Sequence, residues 1–403
     1  MLFRSTETID ITGDGEISVK TTGAGDAGNI SIETPNLTTD QIKITASTQA
    51  EGTGGAITAK TDTLSLDNNS QLTVKADSSS SGDAGDINIE TGSLTVENGA
   101  QISAQTEASG EGGDINISGP EKLNITGNGQ ISASTSGAGK GGNIDISAPE
   151  TTLNITGNGQ ISASTSSTSS KGEGGNIQLN ATEKLNITGD GEISARTSGA
   201  GNAGNISIET QNLTTDQIKI TASTEAEGKG GSIKAETETL NLDNNSQLTV
   251  ETNSSGAAGD IEIQTGSLTV DNNAQISAQT EGTGKGGDIN ISTKETTLNI
   301  TADGQISAST SGAGQGGNIN LKATETIDIT GDGEISVKTT GAGNAGNISI
   351  ETPNLTTDQI KITASTEAEG TGGAITAKTD TLSLDNNSQL TVKADSSSSG
   401  DAG

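Results

Sequence analysis

Apolar and polar residues alternate in short runs along this chain, and turn-forming residues separate the runs. Between Gly142 and Gly174, three such runs place apolar residues at Ile144, Ile146, Leu153, Ile155, Ile161 and Ala163. Alternation with a period of two is typical of half-buried β-strands, and Gly, Asn, Pro and Thr between the runs are typical of turns. A helix is disfavoured because Gly, Asn, Thr and Ser dominate and no run has a helical stripe. The pattern predicts three strands, each with two inward side chains.

The same inward pairs recur along the chain. On the first strand they are Ile30/Ile32, Ile87/Ile89, Ile206/Ile208 and Ile289/Ile291. On the second strand they are Leu123/Ile125, Leu185/Ile187 and Leu298/Ile300. On the third strand they are Ile131/Ala133, Ile276/Ala278 and Leu390/Val392. Small Ala facing bulky Ile and Leu would fill a narrow triangular interior, in which aromatic rings would not fit.

A degenerate repeat of about 29 residues organises these strands, and thirteen units fill Gly28 to Ala402. The units begin at Gly28, Gly55, Gly85, Gly113, Gly142, Gly175, Gly204, Gly231, Gly259, Gly287, Gly317, Gly346 and Gly373. A period in this range is typical of solenoids, in which one unit cannot fold alone and stacking buries a continuous core. The handedness of strand–crossover–strand units favours a right-handed winding. We therefore predict an all-β, right-handed parallel β-helix, a three-sided β-solenoid of about 14 coils that forms one continuous segment over residues 1–403.

Composition alone would favour disorder, because only 28% of the residues are hydrophobic and the formal net charge is −32. The strict placement of the apolar residues argues for the folded solenoid instead. The acidic balance argues against binding to nucleic acid or to anionic membranes. No apolar stretch is long enough to span a bilayer as a helix, and residues 1–5 are too short and too polar for a secretion signal.

One outward column carries only hydroxyl side chains, at Ser18, Thr45, Thr73, Ser103, Ser132, Ser162, Ser194, Thr221, Thr249, Ser277, Ser307, Ser336, Thr363 and Thr391. Ser and Thr are favourable, soluble residues on an outward strand face. A second interpretation is a flat face that binds ice or glycan. The next outward column is mixed (Lys20, Ser47, Lys75, Gln105, Ser134) and aromatic platforms are lacking, which counts against that interpretation. Asn residues in the turns, such as Asn128 and Asn158, are expected to form stacked amide ladders.

The residues available for chemistry are few, since the chain has no Cys, His, Tyr or Trp. The one longer coil gains only a small polar run, Ser166–Lys171. We therefore expect no enzyme and no catalytic, cofactor-binding or metal site. Turn segments such as Gly13–Glu16 and Asp67–Asn69 leave calcium binding open, because calcium prefers oxygen ligands. The nonapeptide of calcium-binding β-rolls is lacking, and we interpret these carboxylates as solvated turn residues.

Whole blocks of coils are duplicated. The segment Asn-Leu-Thr-Thr-Asp-Gln-Ile-Lys-Ile-Thr-Ala begins at Asn36, Asn212 and Asn354, with six coils in the first interval and five in the second. Thr6–Gly85 and Thr324–Gly403 differ at two positions, Asp26/Asn344 and Gln49/Glu367. Since the chain stops in the middle of a coil, we expect it to be a piece of a longer protein.

The turns resemble the repeats of filamentous haemagglutinin-like exoproteins, especially large cyanobacterial ones, over nearly the whole chain from about Thr6 to Gly403. The segment Leu123–Gly139, Leu-Asn-Ile-Thr-Gly-Asn-Gly-Gln-Ile-Ser-Ala-Ser-Thr-Ser-Gly-Ala-Gly, carries this resemblance. The resemblance implies export by two-partner secretion through an outer-membrane transporter, and a secreted, cell-surface location as an adhesin-like protein. It also implies a host or neighbouring cell surface as partner. The family's N-terminal secretion domain is not recognisable in these residues.

The functional expectation is a structural one: a stiff acidic stalk that holds a binding module away from the cell. The alternative is that the solenoid face itself binds glycan or ice through its Ser/Thr ladder. A third interpretation is a disordered acidic matrix protein.

Overall fold

A computed structural model describes residues 1–49, 51–77, 82–107, 109–148, 152–166, 172–294 and 297–394. Every helix or strand assigned within these ranges is a β-strand, and the strands pair in parallel. The chain forms two compact units, Met1–Thr210 and Gln211–Gly403. Each unit is a stack of parallel β-coils, which confirms the predicted β-solenoid. The right-handed winding and the single continuous segment stay predictions.

The strand bounds follow the three predicted runs of each coil. The first unit contains β1 (Leu2–Arg4), β2 (Thr8–Thr12), β3 (Glu16–Thr21), β4 (Ile30–Glu33), β5 (Asn36–Asp40), β6 (Lys43–Thr48), β7 (Ile57–Asp67), β8 (Gln71–Ala76), β9 (Ile87–Val96), β10 (Gln101–Thr106), β11 (Ile115–Ser118), β12 (Lys122–Ile125), β13 (Gln130–Ser132), β14 (Ile144–Ala148), β15 (Thr152–Thr156), β16 (Gln160–Ser162), β17 (Ile177–Thr188) and β18 (Glu192–Ser194). Strand β19 (Ile206–Asp216) includes the boundary between the units.

The second unit continues with the same element order. Its strands are β20 (Lys219–Thr224), β21 (Ile233–Asp243), β22 (Gln247–Thr252), β23 (Ile261–Thr265), β24 (Ser267–Val270), β25 (Gln275–Thr280), β26 (Ile289–Thr293), β27 (Thr297–Ile300), β28 (Gln305–Ser307), β29 (Ile319–Ala323), β30 (Thr326–Thr330), β31 (Glu334–Thr339), β32 (Ile348–Glu351), β33 (Asn354–Asp358), β34 (Lys361–Thr366), β35 (Ile375–Lys378), β36 (Thr381–Asp385) and β37 (Gln389–Ala394). The third strand of each coil forms the third side of the solenoid. Each unit contains seven of these third-side strands, one for each coil, in agreement with the predicted number of about 14 coils.

The corner between the first and second sides is either continuous or broken, depending on local sequence. In β7, β9, β17 and β21 the two predicted strands are one strand of 10 to 12 residues. They are separate where Pro35 and Pro120 stand in the first unit and Pro353 in the second. Proline lacks the N–H that the ladder needs, so it ends the strand. The three sides are therefore less distinct than the sequence pattern predicted.

The core of each unit is a column of aliphatic side chains, as predicted. Ile144 and Ile146 are at most 1% exposed. The other inward pairs named above are at most 2% exposed, with one exception. Leu390 and Val392, in the last described coil, are only partly buried. Because coil follows coil in register, as in Ile115↔Ile144 and Ile117↔Ile146, each buried side chain is covered by equivalent residues above and below.

Each coil begins with a glycine because two backbones meet there. A Cβ atom on Gly142 would lie 2.6 Å from the carbonyl carbon of Gly113 and 2.9 Å from the carbonyl oxygen of Gly112. Such a carbon would overlap the preceding coil's backbone, which has no rotamer to adjust. The recurring glycine that marks the repeat in the sequence is thus required by the close approach of consecutive coils.

A buried threonine column, which the sequence pattern did not predict, closes the third side. In the first unit it comprises Thr106, Thr135, Thr165 and Thr197, each at most 1% exposed. The Thr165 hydroxyl donates a hydrogen bond to the carbonyl of Glu173 at 2.7 Å. In the second unit Thr280 donates to the carbonyl of Lys285 at 3.0 Å. In these coils the hydroxyl therefore holds the Gly-rich turn against the third strand, through a carbonyl that also accepts a backbone N–H from the preceding coil.

The Asn-Leu-Thr-Thr-Asp-Gln-Ile coils carry a compensated change in their core. Thr39 is fully buried at an inward position where other coils have an aliphatic residue, and its hydroxyl donates to the carbonyl of Ser65 at 3.3 Å. Ile42, 1% exposed, lies three residues later, at the corner where Gly129 stands in another coil. Apolar volume lost on the strand is thus regained at the corner, so the interior stays filled.

Candidate functional site

The predicted hydroxyl column forms one file on the outer face of the third-side sheet. In the first unit Ser103, Ser132 and Ser162 are direct neighbours in register, and in the second unit Thr249, Ser277 and Ser307 are. The position of this column is therefore confirmed. Three members are nearly inaccessible, because Ser103, Ser194 and Ser277 are at most 5% exposed. The face is thus less open to a ligand than the sequence suggested.

The hydroxyls that remain accessible are partly occupied by each other. Ser132 Oγ lies 2.9 Å from Ser134 Oγ, and Ser162 Oγ lies 2.9 Å from Ser164 Oγ. In the neighbouring file, Lys75 Nζ lies 2.8 Å from Glu107 Oε1 and 3.2 Å from Asp77 Oδ1. Hydrogen bonds to Glu107 and Asp77 raise the pKa of Lys75 despite its partial burial. Charged groups therefore interrupt the neighbouring outward column, and the described part of the sheet does not present two adjacent columns of hydroxyls.

Asparagine ladders run along the turns and outward faces, as the sequence predicted. Asn158 Nδ2 donates to Asn128 Oδ1 at 2.8 Å, and Asn154 Nδ2 donates to Asn124 Oδ1 at 3.0 Å. In the second unit Asn320 Nδ2 donates to Asn290 Oδ1 at 2.8 Å. Each amide satisfies the next one, so these polar side chains stabilise the stack and offer few free groups to a ligand.

A shallow groove of about 450 Å³ follows the glycine turns of the first unit. Four carboxylates line it: Asp83, Asp86, Glu111 and Asp114. Three of them already accept backbone hydrogen bonds, since Asp83 Oδ1 takes the N–H of Glu111 at 2.7 Å, Asp86 Oδ1 that of Asp114 at 2.9 Å, and Asp114 Oδ1 that of Asn143 at 2.7 Å. The groove is acidic, but its carboxylates also connect one coil to the next.

The same side-chain-to-backbone bonds shift the acidity of turn residues. The N–H of Thr53 donates to Asp26 Oδ1 at 2.8 Å, and the hydrogen bonds from Thr53 lower the pKa of Asp26. Asp328 is the opposite case: burial and the nearby negative charge of Asp358 raise its pKa. Asp328 Oδ1 is buried without a hydrogen-bond partner. These shifts arise from the stacking of coils, which places Thr53 beside Asp26 and Asp358 near Asp328.

The turn carboxylates considered for calcium do not converge. Across the residues that the structure describes, no three carboxylates come together in a way that could hold a metal ion. Asp67, one of the turn residues named above, uses Oδ1 to accept the N–H of Asn68 and the Nδ2 of Asn98, each at 2.7 Å. This carboxylate oxygen of Asp67 therefore already accepts two hydrogen bonds, one from its own turn and one from the next coil.

A small hollow of about 240 Å³ in the second unit holds the clearest charge cluster. Glu351 lies between two lysines, with Oε2 3.4 Å from Lys322 Nζ and Oε1 3.3 Å from Lys378 Nζ. The hydrogen bond from Lys378, followed by the attraction of Lys322, lowers the pKa of Glu351. All three side chains are well exposed, so the cluster is a surface ion-pair row of modest stabilising effect.

In the polar run Ser166–Lys171 of the longer coil, residues 167–171 lie outside the described residues. No helix in the described ranges is long and apolar enough to cross a membrane. Comparison of the chain with profiles of known protein families, with curated proteins and with solved structures gave no match.

Proposed function

We propose that this chain is a structural spacer, a stack of β-coils whose role is to set distance rather than to bind. The observation that carries the proposal is that many polar groups of its turns and outward faces are hydrogen-bonded within the stack. Asn amides bond to Asn amides, Thr hydroxyls bond to turn carbonyls, and carboxylates bond to backbone N–H groups. These donors and acceptors are the groups that a binding site would otherwise offer to a ligand.

The tolerance of the repeat supports the same function. Blocks of five and six coils recur between the copies that begin at Asn36, Asn212 and Asn354. A spacer can gain or lose a whole coil without losing its role, whereas a binding site needs at least one coil that differs from its neighbours. The net charge of −32 would keep such a surface soluble and discourage association with anionic surfaces.

The cellular setting belongs to the same proposal. The resemblance to filamentous haemagglutinin-like exoproteins supports a stalk in a secreted, cell-surface protein that an outer-membrane transporter exports. In this setting the chain would hold an adhesive module toward a host or neighbouring cell.

Binding assays on the purified chain test the spacer role. We expect no saturable binding to a glycan panel, no inhibition of ice recrystallisation and no adhesion to cells. The matched variant carries Lys in place of three partly exposed hydroxyl residues, Ser132, Ser162 and Ser307, which changes the hydroxyl face and leaves the inward residues intact. Saturable binding by the unmodified chain that this triple variant loses would replace the spacer with the glycan- or ice-binding alternative.

Removal of one coil tests the mechanical half of the proposal. Deletion of Gly113–Gly141 removes a complete repeat and brings Gly112 next to Gly142, which preserves the phase of the stack. We expect the shortened chain to keep its far-ultraviolet circular dichroism per residue and a cooperative thermal transition. Loss of folded structure on this deletion would contradict a spacer built from interchangeable coils.

A further inference from the structure

The outer face of the third side carries two further columns beside the hydroxyl column, and we call these three columns the third-side face. In the first unit the column before the hydroxyls contains Lys43, Gln71, Gln101, Gln130, Gln160 and Glu192. The column after them contains Ser47, Lys75, Gln105, Ser134, Ser164 and Arg196. These positions include three cations and one carboxylate, although the chain as a whole has a net charge of −32. The third-side face therefore lacks the excess negative charge that would repel a second copy of the chain.

The second unit has a third-side face of the same kind. Its column before the hydroxyls contains Lys219, Gln247, Gln275, Gln305, Glu334 and Lys361. Its column after them contains Ser223, Glu251, Gln279, Ser309, Lys338 and Ser365. In both units the carboxylate of the first column has a cation in the last column of its own coil, Glu192 with Arg196 and Glu334 with Lys338. None of these coils carries two charges of the same sign on this face.

The glutamines of this face differ from the asparagine ladders. Gln101, Gln130 and Gln160 are stacked in register, yet their amides make no hydrogen bond within the part of the chain that the structure describes. A carboxamide has two donors and one acceptor oxygen. A surface of glutamines can therefore form hydrogen bonds with a copy of itself.

A buried hydroxyl without a partner lies in the hydroxyl column of each unit. Ser103 and Ser277 are 3% and 4% exposed, and among the described residues no group forms a hydrogen bond with their Oγ atoms. Each of these serines stands between two glutamines of its own strand, in the sequence Gln-Ile-Ser-Ala-Gln. Because an unpaired buried hydroxyl is unfavourable, the third-side face of a single chain leaves hydrogen-bonding capacity unused.

We propose that two copies of this chain associate side by side through the third-side face, related by a two-fold axis parallel to the stack of coils. This axis keeps each coil level with the same coil of the second copy and reverses the direction of its strands. The first column of one copy then faces the last column of the other, and the reverse contact is identical. Glu192 meets Arg196 of the second copy, and Gln101 meets Gln105 of the second copy.

The order of charges favours this axis over the other one that brings the two faces together. A two-fold axis along the strands, centred on Gln130, would place Lys75 opposite Arg196 of the second copy, and like charges in contact are unfavourable. The axis parallel to the stack brings no two like charges opposite each other in the coils named above. It also places Ser103 opposite Ser103 of the second copy, which offers the unpaired hydroxyl a partner once the flexible glutamine side chains turn aside.

The size and charge of the face indicate a weak, reversible contact. Seven coils about 4.8 Å apart, with strands of about five residues at about 3.3 Å each, give each unit a face of roughly 34 by 17 Å. Two such faces bury roughly 1,100 Å² in total, at the low end of specific interfaces. In the single chain Arg196 already lies 3.9 Å from Glu192, and Lys338 lies 2.5 Å from Glu367. The charges therefore exchange partners on association, and they set the orientation of the two copies more than the affinity.

Complementary charge changes test the contact by sedimentation velocity over a range of protein concentrations. One variant carries Glu192→Lys and Glu334→Lys, and the other carries Arg196→Glu and Lys338→Glu. The unmodified chain should dimerise as its concentration rises, and each variant alone should dimerise about tenfold more weakly or worse, because like charges then face each other. An equimolar mixture of the two variants should dimerise again, since each new lysine faces a new glutamate.

Matched controls make the same charge changes outside the third-side face. They carry Glu209→Lys with Glu262→Lys, or Lys184→Glu with Lys322→Glu, all at exposed positions. These controls, alone or mixed, should associate like the unmodified chain, and circular dichroism checks that every variant is folded. An unmodified chain that stays monomeric, or a mixture that associates no better than its separate variants, would overturn the proposal. A monomeric chain that binds glycan through this face would assign the face to that ligand instead.

Cross-linking through single thiols tests the direction of the axis. The chain has no cysteine, so Ser132→Cys and Ser307→Cys each introduce one thiol, in the hydroxyl column of the first and of the second unit. An axis parallel to the stack places every coil opposite itself, so a bis-maleimide that spans about 10 Å, the distance between packed sheets, should link both variants to their own kind. Ser147→Cys, exposed on the first side, is the control and should not link. Links at only one of Ser132 and Ser307, or equal links at Ser147, would refute the proposed axis.

The pairing adds to the spacer function and does not depend on it. A chain that stays monomeric in these experiments would overturn the pairing and leave the spacer role as it stands. Binding of glycan, ice or cells by the chain would overturn the spacer role and leave the dimerisation test unchanged.

Discussion

Replacing the glycine that begins a coil probes how closely consecutive coils approach. Gly142→Ala would place a Cβ atom 2.6 Å from the carbonyl carbon of Gly113 and 2.9 Å from the carbonyl oxygen of Gly112, which are both backbone atoms. The coils must separate locally, since no side chain can rotate away. We expect this substitution to destabilise the first unit while leaving the secondary structure of the remaining coils intact.

The magnitude follows from two contributions. Overpacking of a close-packed interior costs about 1–3 kcal/mol. Separating the coils also strains two ladder hydrogen bonds, Gly112 N–H to Lys140 O at 2.8 Å and Ile115 N–H to Asn143 O at 2.9 Å. Each contributes about 0.5–1.5 kcal/mol net to the free energy of unfolding. Together the loss should be about 2–6 kcal/mol.

The matched control is Gly25→Ala, because a Cβ on Gly25 would meet no heavy atom within 4 Å. At this position we expect no loss, or a gain of about 0.4–1 kcal/mol from the restricted unfolded chain. Urea unfolding followed by circular dichroism gives the overall effect. Since a repeat protein can unfold in parts, amide hydrogen exchange at Ile115 and Ile144 shows whether the loss is local.

The close-approach explanation fails if Gly142→Ala and Gly25→Ala have the same free energy of unfolding and the same amide exchange rates. It also fails if Gly142→Ala accelerates exchange only far from its own coil. Either result would mean that the recurring glycine is retained for some reason other than backbone contact.

Three further substitutions test other parts of the stack. Ile144→Asp should cost several kcal/mol because it buries an unpaired charge, whereas Ser147→Asp, exposed on the same strand, should change the unfolding midpoint little. Thr280→Val should cost about 0.5–1.5 kcal/mol, because the hydrogen bond from the Thr280 hydroxyl to the Lys285 carbonyl is lost while that carbonyl keeps the N–H of Ala258, and Thr280→Ser should restore most of the loss. Asp328→Asn should raise the melting temperature at neutral pH: the raised pKa of Asp328, caused by burial and Asp358, means that its ionisation destabilises the folded chain. The unmodified chain should recover this difference as the pH falls through the raised pKa toward 3.8, and equal melting temperatures at neutral pH would contradict the assignment.

The sequence predicted the fold through features that repeat locally. Alternation identified strands, and inward pairs such as Ile144 and Ile146 lie in the core as expected. The hydroxyl column and the Asn128–Asn158 amide ladder also followed, because stacking of identical units brings identical side chains together. In a regular repeat, the spatial neighbour of a residue can be predicted wherever the residue packs against the equivalent residue of the next coil.

Function was less accessible from the residues than fold. The sequence named a hydroxyl face as the alternative site, and the structure shows that burial of Ser103 and the contact between Ser132 and Ser134 reduce its accessibility. It did not indicate the acidic groove of Asp83, Asp86, Glu111 and Asp114, since these carboxylates come from two consecutive turns that join three repeat units, and look like ordinary turn residues. The signal available in the sequence was that Asp83 and Glu111, and likewise Asp86 and Asp114, are separated by about one repeat and therefore stack on each other.

What the sequence by itself determined is the repeat, the strand class and the inward–outward assignment, all of which depend on the spacing of apolar residues within one coil. Only the tertiary structure decided which polar residues are buried. Thr165 and Ser162 are similar hydroxyl residues three positions apart. Thr165 is buried and donates a hydrogen bond to a turn carbonyl, whereas Ser162 faces outward. The acceptor of the Thr165 hydroxyl comes from the turn of the same coil, and alternation of apolar residues carries no information about that acceptor.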